Sequence, residues 1–213
     1  MKNIGFLFIC VTLLLAGCVT GTRTIELDVP EYSSDKTGSG DIYIGLIDDK
    51  RVFEVKPRSP STPSVKGELA SLSKEQLSSL IGRQRNGYGG AMGDVALPEG
   101  GSVLEEMRDL LTSGLEGRGY NVVNDENAPT KMTVNINKFW AWFSPGFASV
   151  SFETDLQCDV NFIGDLGDRS LDIRGYGLNK GQVASDANWQ LAYRRAFVNF
   201  LEHFDSVMDA EGL

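Results

Sequence analysis

The sequence predicts an α+β fold, a largely antiparallel sheet with two main helices packed on one of its faces. Three observations lead there: an apolar stripe at helical spacing from Val103 to Leu115, a second from Trp189 to Phe204, and between them a strict alternation from Val150 to Phe162. A helix with one apolar side needs a surface to cover it, and a strand with one dry face needs a helix. Elements of both kinds in this order call for helices segregated to one face of the sheet.

The first secure strand is Asp41 to Ile47, where Ile42, Ile44 and Leu46 alternate against Tyr43 and Ile47, and Arg51 to Val55 reads as its hairpin partner across Asp48-Asp49-Lys50. Pro57, Pro60 and Pro63 exclude a helix and a central strand from the next stretch. Ser73 to Ile81 is a short helix with Ser73 as its cap and Gln76 at the third helical position. Gly82 to Gly101 is so rich in glycine that it reads as a solvent-exposed mobile loop, with residues 56–101 as a Pro/Gly-rich insertion in a single domain over 41–208.

Ser102 opens the strongest helix, because Ser102 and Glu105 form a capping-box signature ahead of Val103, Met107, Leu110, Leu111, Gly114 and Leu115. Gly117 and Gly119 end it, and a short strand follows at Tyr120 to Val123. Lys131 to Phe143 is strand-like with Met132, Val134 and Ile136 on one face, but the phase becomes ambiguous near Lys138, which suits a bulge. Ser144-Pro145-Gly146 is a turn, and Phe139, Trp140, Trp142 and Phe143 beside it, joined by Phe147, form either a cluster capping a hairpin or an exposed adhesive tip.

Ala148 to Ile163 would span roughly 50 Å if wholly extended, so a bend or a protruding hairpin is expected. In the last strand, Ser170 to Leu178, the apolar phase moves from Leu171 and Ile173 to Tyr176 and Leu178, which predicts a second bulge. The final helix runs from about Asp186 to Phe204.

The N-terminus carries a different kind of information. Met1 to Cys18 has one Lys, an apolar stretch and then Leu15-Ala16-Gly17-Cys18, a close match to the lipobox of bacterial lipoproteins. The apolar run is shorter than the roughly 20 residues that span a bilayer, and small residues running into a Cys favour cleavage over a transmembrane helix. Residues 1–17 are then a signal peptide, Cys18 is the lipidated residue, and the stretch 18–40, rich in Thr, Ser and Gly with one apolar phrase at Ile25-Glu26-Leu27, fits a flexible tether or an edge strand. Val19 stands where an Asp would retain an enterobacterial-type lipoprotein in the inner membrane, so the expectation is the periplasmic face of the outer membrane.

The 213-residue chain has a formal charge of −9. An acidic body lacks the basic footprint that nucleic acid requires, and charge alone would not hold it to an anionic membrane. Cys10 leaves with the signal and Cys18 carries lipid, which leaves Cys158 as a core thiol rather than a disulfide partner.

No catalytic constellation emerges. The single His, His203, sits at the end of the last helix without a GxSxG phrase elsewhere, and the glycine-rich stretch lacks the flanking elements of a phosphate cradle. Asp155 and Asp159 lie four residues apart on a strand, about 13 Å, too far to share a proton or a metal. Asp165 and Asp168, without further ligands, make a poor calcium site. No metal, cofactor or catalytic residue is therefore expected. The candidate partner-binding residues are Arg83, Arg85 and Tyr88 in the glycine-rich loop and Trp140, Trp142, Phe143 and Phe147 at the aromatic turn. Arg forks suit carboxylate or phosphate, and aromatic side chains supply the apolar anchors of interfaces.

With these elements placed, the chain resembles the YajG-type family of bacterial lipoproteins. The likeness lies in Leu15-Ala16-Gly17-Cys18, Thr24-Ile25-Glu26-Leu27, Asp49-Lys50-Arg51, and above all Val103-Leu104-Glu105-Glu106 through Gly117-Arg118-Gly119-Tyr120. It implies an envelope lipoprotein that is not an enzyme and acts by binding another envelope component. More distantly, the layout looks like auxiliary lipoproteins of envelope transport systems. The other reading is a small-molecule or lipid-binding module, with its ligand between the dry face of the sheet and the aromatic helices.

Overall fold

The computed structural model describes residues 21–86, 90–146 and 149–213. Among them eight strands form one sheet: β1 (Thr22–Thr24), β2 (Asp41–Asp49), β3 (Leu80–Arg85), β4 (Ala91–Ala96), β5 (Asn121–Val123), β6 (Thr130–Pro145), β7 (Val150–Gly164) and β8 (Arg169–Gly181). Three α-helices accompany them: α1 (Lys74–Ser79), α2 (Val103–Gly117) and α3 (Asp186–Ala210). The architecture is α+β as expected, with the long β6–β7–β8 ladders antiparallel, while β2 and β3 join β6 in parallel over shorter runs.

Strand β6 organises the sheet. One edge pairs with β7 over its whole length, whereas the other meets β2 from Thr130 to Ile136 and β3 at Ala141 and Trp142. The register slips between Ile136 and Lys138, where the sequence phase was ambiguous. Because side chains alternate with period two, this one extra residue turns Phe139 and Ala141 onto the face already holding Met132, Val134 and Ile136, and sends Trp140 and Trp142 to the opposite face.

Helices α2 and α3 cover the first of these faces. Phe152, Leu156, Cys158, Val160 and Phe162 of β7 pack with Trp189, Tyr193, Phe197, Phe200 and Phe204 of α3 in one core. Each such side chain, fully buried, contributes about 1.5–3 kcal/mol of transfer free energy. Strand β8 carries no bulge and pairs with β7 in unbroken register. The shift of apolar phase has another cause: Gly175 and Gly177 face α3, and a Cβ on either would lie 2.5 Å from the Ala196 carbonyl oxygen or 2.1 Å from that of Ala192. The glycines let the helix backbone lie on the strand, and Tyr176 and Leu178 face outward.

The free edge of β8 is also occupied. The Arg174 amide donates to His203 Nδ1 at 3.1 Å, the Tyr176 amide donates to Asn199 Oδ1 at 3.0 Å, and Arg195 Nη1 donates to the Leu178 carbonyl at 2.5 Å. Residues 195, 199 and 203 are spaced by four, hence on one side of α3, and they meet alternate residues of the strand. An exposed edge is a template for another strand, and here side chains fill part of it. The lone histidine thus has a structural partner rather than a place at a helix end in solvent.

Three further segments differ from the sequence expectation. Residues 22–40 are no free tether and follow the other reading, an edge strand: β1 ends the sheet beside β4, Ile25 is buried, and the Pro30 carbonyl accepts from Ser113. Gly82 to Gly101, read as an exposed loop, contains the antiparallel hairpin β3–β4. Gly82 serves close approach, since a Cβ there would meet the Ala141 carbonyl oxygen at 2.7 Å. Arg51 to Val55 is no hairpin partner of β2; it begins an irregular arm that crosses the face of β6 opposite the helices, as the three prolines allow.

The helix boundaries follow their caps. Ser73 and Gln76 form the reciprocal capping box of α1. At α2 the Ser102 hydroxyl accepts from the Glu105 amide, but Glu105 returns to the hydroxyl and not to the backbone. The other end of α2 closes in a Schellman motif: Tyr120 N donates to the Leu115 carbonyl, Gly119 N to Glu116, and Gly119 takes φ +90°. Arg118, 1% exposed, then binds Asp205 and Asp209 of α3. The Gly-Arg-Gly-Tyr phrase therefore stops one helix and clamps it to the next.

Candidate interaction site

The residues singled out by sequence do not form one open surface. Arg83 is 2% exposed and its Nε donates to Asp94 Oδ1 at 2.7 Å across the β3–β4 hairpin. Trp140 and Trp142 are buried beneath the irregular arm, where Phe53 meets Trp140 edge-on at 5.9 Å and the Pro60 carbonyl accepts from Trp140 Nε1. Phe143, half-buried, stands edge-on to Phe152 at 5.5 Å. As exposed contacts, Arg83, Trp140 and Trp142 are excluded: an ion pair claims the first, and a second small core with Phe53 and Val65 claims the tryptophans. Arg85 is half-buried and donates to Ser64 Oγ at 3.1 Å. Cys18, Tyr88 and Phe147 lie outside the described residues.

The fold nevertheless brings the two hairpins that carry these residues to one end of the sheet. Strands β3 and β6 run parallel, pairing Gly82 with Ala141 and Arg83 with Trp142, so both chains turn back at the same end. Strand β1 runs parallel to β4, which places Gly21 there as well, its carbonyl accepting from the Asp94 amide. Strand β8 finishes opposite Val150, and the lead into α3 leaves Val183 65% exposed at this end. The sequence separates these segments by up to about 160 residues, and parallel pairing of β3 with β6, which periodicity does not reveal, is what gathers them.

Beside the β3–β4 hairpin the irregular arm leaves a cleft of about 550 Å³, lined by Val55, Lys56, Pro57, Val65, Lys66, Gly67, Arg83, Arg85, Gly90 and Ala91. Among the described residues four cations and no carboxylate line it, in a chain of net charge −9. Burial and the neighbouring Arg83 charge both lower the pKa of the Arg85 guanidinium. Lys56 and Lys66 were missed by motif reading because neither lies in a motif; only the crossing of the arm over the hairpin sets them beside the two arginines.

A second concavity, about 620 Å³, lies between residues 27–32 and α2 and has the opposite character, with Asp28, Glu31, Glu106, Asp109 and Glu116 in its wall. Burial, then the charges of Asp109 and Glu105, push the Glu106 carboxyl up to about 7. Its folded pKa lies above the unfolded value of 4.5, so the folded state binds the extra proton between these limits. Glu106 thus favours folding at acidic pH, and that contribution is lost as pH rises through about 7. Glu106→Gln is expected to stabilise the protein by about 1 kcal/mol above about pH 8, after allowance for solvent screening, with the gain vanishing below about pH 5. Urea titrations at the two pH values check the prediction, and an equal effect at both would refute it.

The carboxylates and the thiol weighed in the sequence have structural surroundings. Asp155 binds Lys138 and Asp159 binds Asn137, each through its own partner. Cys158 is fully buried, and desolvation followed by the charges of Asp159 and Asp172 pushes its thiol well above the usual range, away from the reactive thiolate. Among the described residues no three of His, Cys, Asp and Glu converge as metal ligands, and no helix is long and apolar enough to cross a membrane.

This is a mixed sheet with its two main helices on one face and a basic cleft at one end. Comparison with solved structures finds the same fold in protein XCC0632 from Xanthomonas campestris, which carries the family description DUF330: the TM-score is 0.50 at 8% identity, covering 90% of this chain and 96% of that one. A putative neuraminyllactose-binding hemagglutinin homolog from Helicobacter pylori matches with a TM-score of 0.37 at 12% identity over 89% of this chain and 96% of that one. The hypothetical protein CT253 from Chlamydia trachomatis gives 0.38 at 8% identity over 81% and 99%. No family model matches the sequence, and no curated protein does.

Proposed function

We propose that the protein is a non-enzymatic lipoprotein of the YajG type, held through Cys18 at the periplasmic face of the outer membrane, where it binds another envelope component. The observation that carries this reading is the position of β1. The strand begins four residues after the lipobox cysteine, and Arg23 fixes it further by donating to the Ala184 carbonyl and pairing with Asp186. A lipid at Cys18 therefore holds the body on a short leash, no more than about 14 Å of extended chain. The end that bears Gly21, the last residues of β3 and β6, and Val183 is the end nearest the bilayer, and the partner meets the protein there or beside it.

The alternative, a ligand between the dry face and the helices, fits less well. Gly175 and Gly177 bring α3 into backbone contact with β8, and the aromatic residues of α3 are packed against β7. Crosslinking of the acylated full-length protein in intact cells, followed by mass spectrometry, tests the proposal. Capture of one dominant envelope protein, lost in Cys18→Ala, is the expected result. Absence of acyl mass on Cys18, or capture unchanged by the substitution, would remove the anchored-adaptor reading.

A further inference from the structure

From the chemistry of the basic cleft we infer a binding site for a phosphate-bearing anion. The charges of its two lysines are not cancelled among the described residues. Asp94 neutralises Arg83, but Lys56 and Lys66 form no ion pair among the described residues, and no acidic residue lines the walls. The site is built rather than incidental: Ser64 Oγ, on a residue with no exposed surface, accepts from Arg85 Nη2 and holds one edge of the guanidinium in place. Arg presents donors in a fixed fork that matches phosphate oxygens, and the two exposed lysines complete the neutralisation of such a group. At about 550 Å³ the cleft falls within the range of roughly 300–1,000 Å³ typical of small-molecule sites.

The walls narrow the ligand class. Val55, Pro57, Val65 and Ala91 place an apolar surface beside the cations, and Val55 remains 45% exposed. A phosphate joined to a glycerol and acyl stem satisfies both surfaces, whereas a bare phosphate satisfies only the cations. The hairpin residues of the cleft, Arg85, Gly90 and Ala91, lie at the end of the sheet that carries Gly21. Assignment of the phosphate to a lipid headgroup rests on the anchored reading above, while the anion chemistry of the cleft does not.

The test uses the full-length acylated protein in micelles of an uncharged detergent, titrated calorimetrically with short-chain phosphatidylglycerol, short-chain phosphatidylcholine and inorganic phosphate. Saturable one-to-one binding of phosphatidylglycerol is expected, weakened by salt and at least about tenfold weaker in Lys56→Glu/Lys66→Glu. Both lysines are exposed, so the double variant should keep the thermal midpoint of the parent. Tighter binding of the lipid than of phosphate assigns the source to a headgroup, and equal binding assigns it to free phosphate. No saturable binding of either, or binding unchanged in the folded double variant, overturns the site. Cys18→Ala should leave these affinities unaltered, which separates failure of the cleft from failure of the anchor.

Discussion

Arg51→Ala is expected to lower the free energy of unfolding by about 3–5 kcal/mol, the cost of breaking a buried, fully bonded ion pair from one side. The Arg51 side chain has no exposed surface, and all five of its N–H donors are used. Nε and one Nη2 hydrogen bind Asp49, at 2.8 Å each; Nη1 donates to the carbonyls of Leu80 and Phe139, and Nη2 donates also to that of Leu77. These carbonyls belong to the place where β6 loses β2 as a neighbour and has not yet gained β3. Arg51 fills the gap between two strands that share one edge.

Removing the guanidinium takes its donors from the Leu80 and Phe139 carbonyls, leaves the Leu77 carbonyl with the Leu80 amide alone and the Asp49 carboxylate with the Arg51 amide alone, whereas Asp49→Asn leaves the three carbonyl bonds intact and should cost about 1–2 kcal/mol. Lysine should not rescue, since three donors on a point charge cannot replace five donors in a fixed fork. Urea unfolding of the full chain in uncharged detergent, followed by tryptophan fluorescence, measures the series. A midpoint for Arg51→Ala close to that of Asp49→Asn would show that the carbonyl bonds carry little.

Gly177→Ala is expected to be as damaging, about 3 kcal/mol or more, or to prevent folding. One methyl group there would sit 2.1 Å from the Ala192 carbonyl oxygen and 2.5 Å from the Ala196 amide nitrogen, both backbone atoms that no rotamer can move. The whole of α3 would have to lift from β8, loosening the contacts of Trp189, Tyr193 and Phe197 with the sheet. Gly45→Ala is the control, because a Cβ at that position meets nothing nearer than 3.4 Å, an ordinary contact. It should change stability by less than about 1 kcal/mol. Equal effects of the two substitutions on the thermal midpoint would contradict the close helix–strand contact.

The features legible in the sequence are those decided by neighbours in the chain. The alternation of β7, the bulge near Lys138, the capping box at Ser73 and the stop at Gly119 each depend on a few consecutive residues. The features that were not legible depend on contacts across it. Gly82 and Gly177 look like loop or bulge signals, yet both mark places where another backbone presses on the strand. Trp140 and Trp142 look like an exposed tip until the arm carrying Phe53 and Pro60, some 80 residues earlier, is laid over them. For the same reason the candidate site was only partly legible: Arg85 belongs to the cleft, but Lys56 and Lys66 join it through the path of that arm.

The placement of β1 has a mechanical meaning. A pull on the chain at Gly21 runs along the axis of the strand, and its bonds to β4, together with the Arg23–Asp186 pair, lie across that direction. They are loaded side by side, in shear, instead of opening one after another like a zip. Tension at the N-terminus is therefore shared by the sheet and by the first turn of α3, so the body follows the strand as one piece.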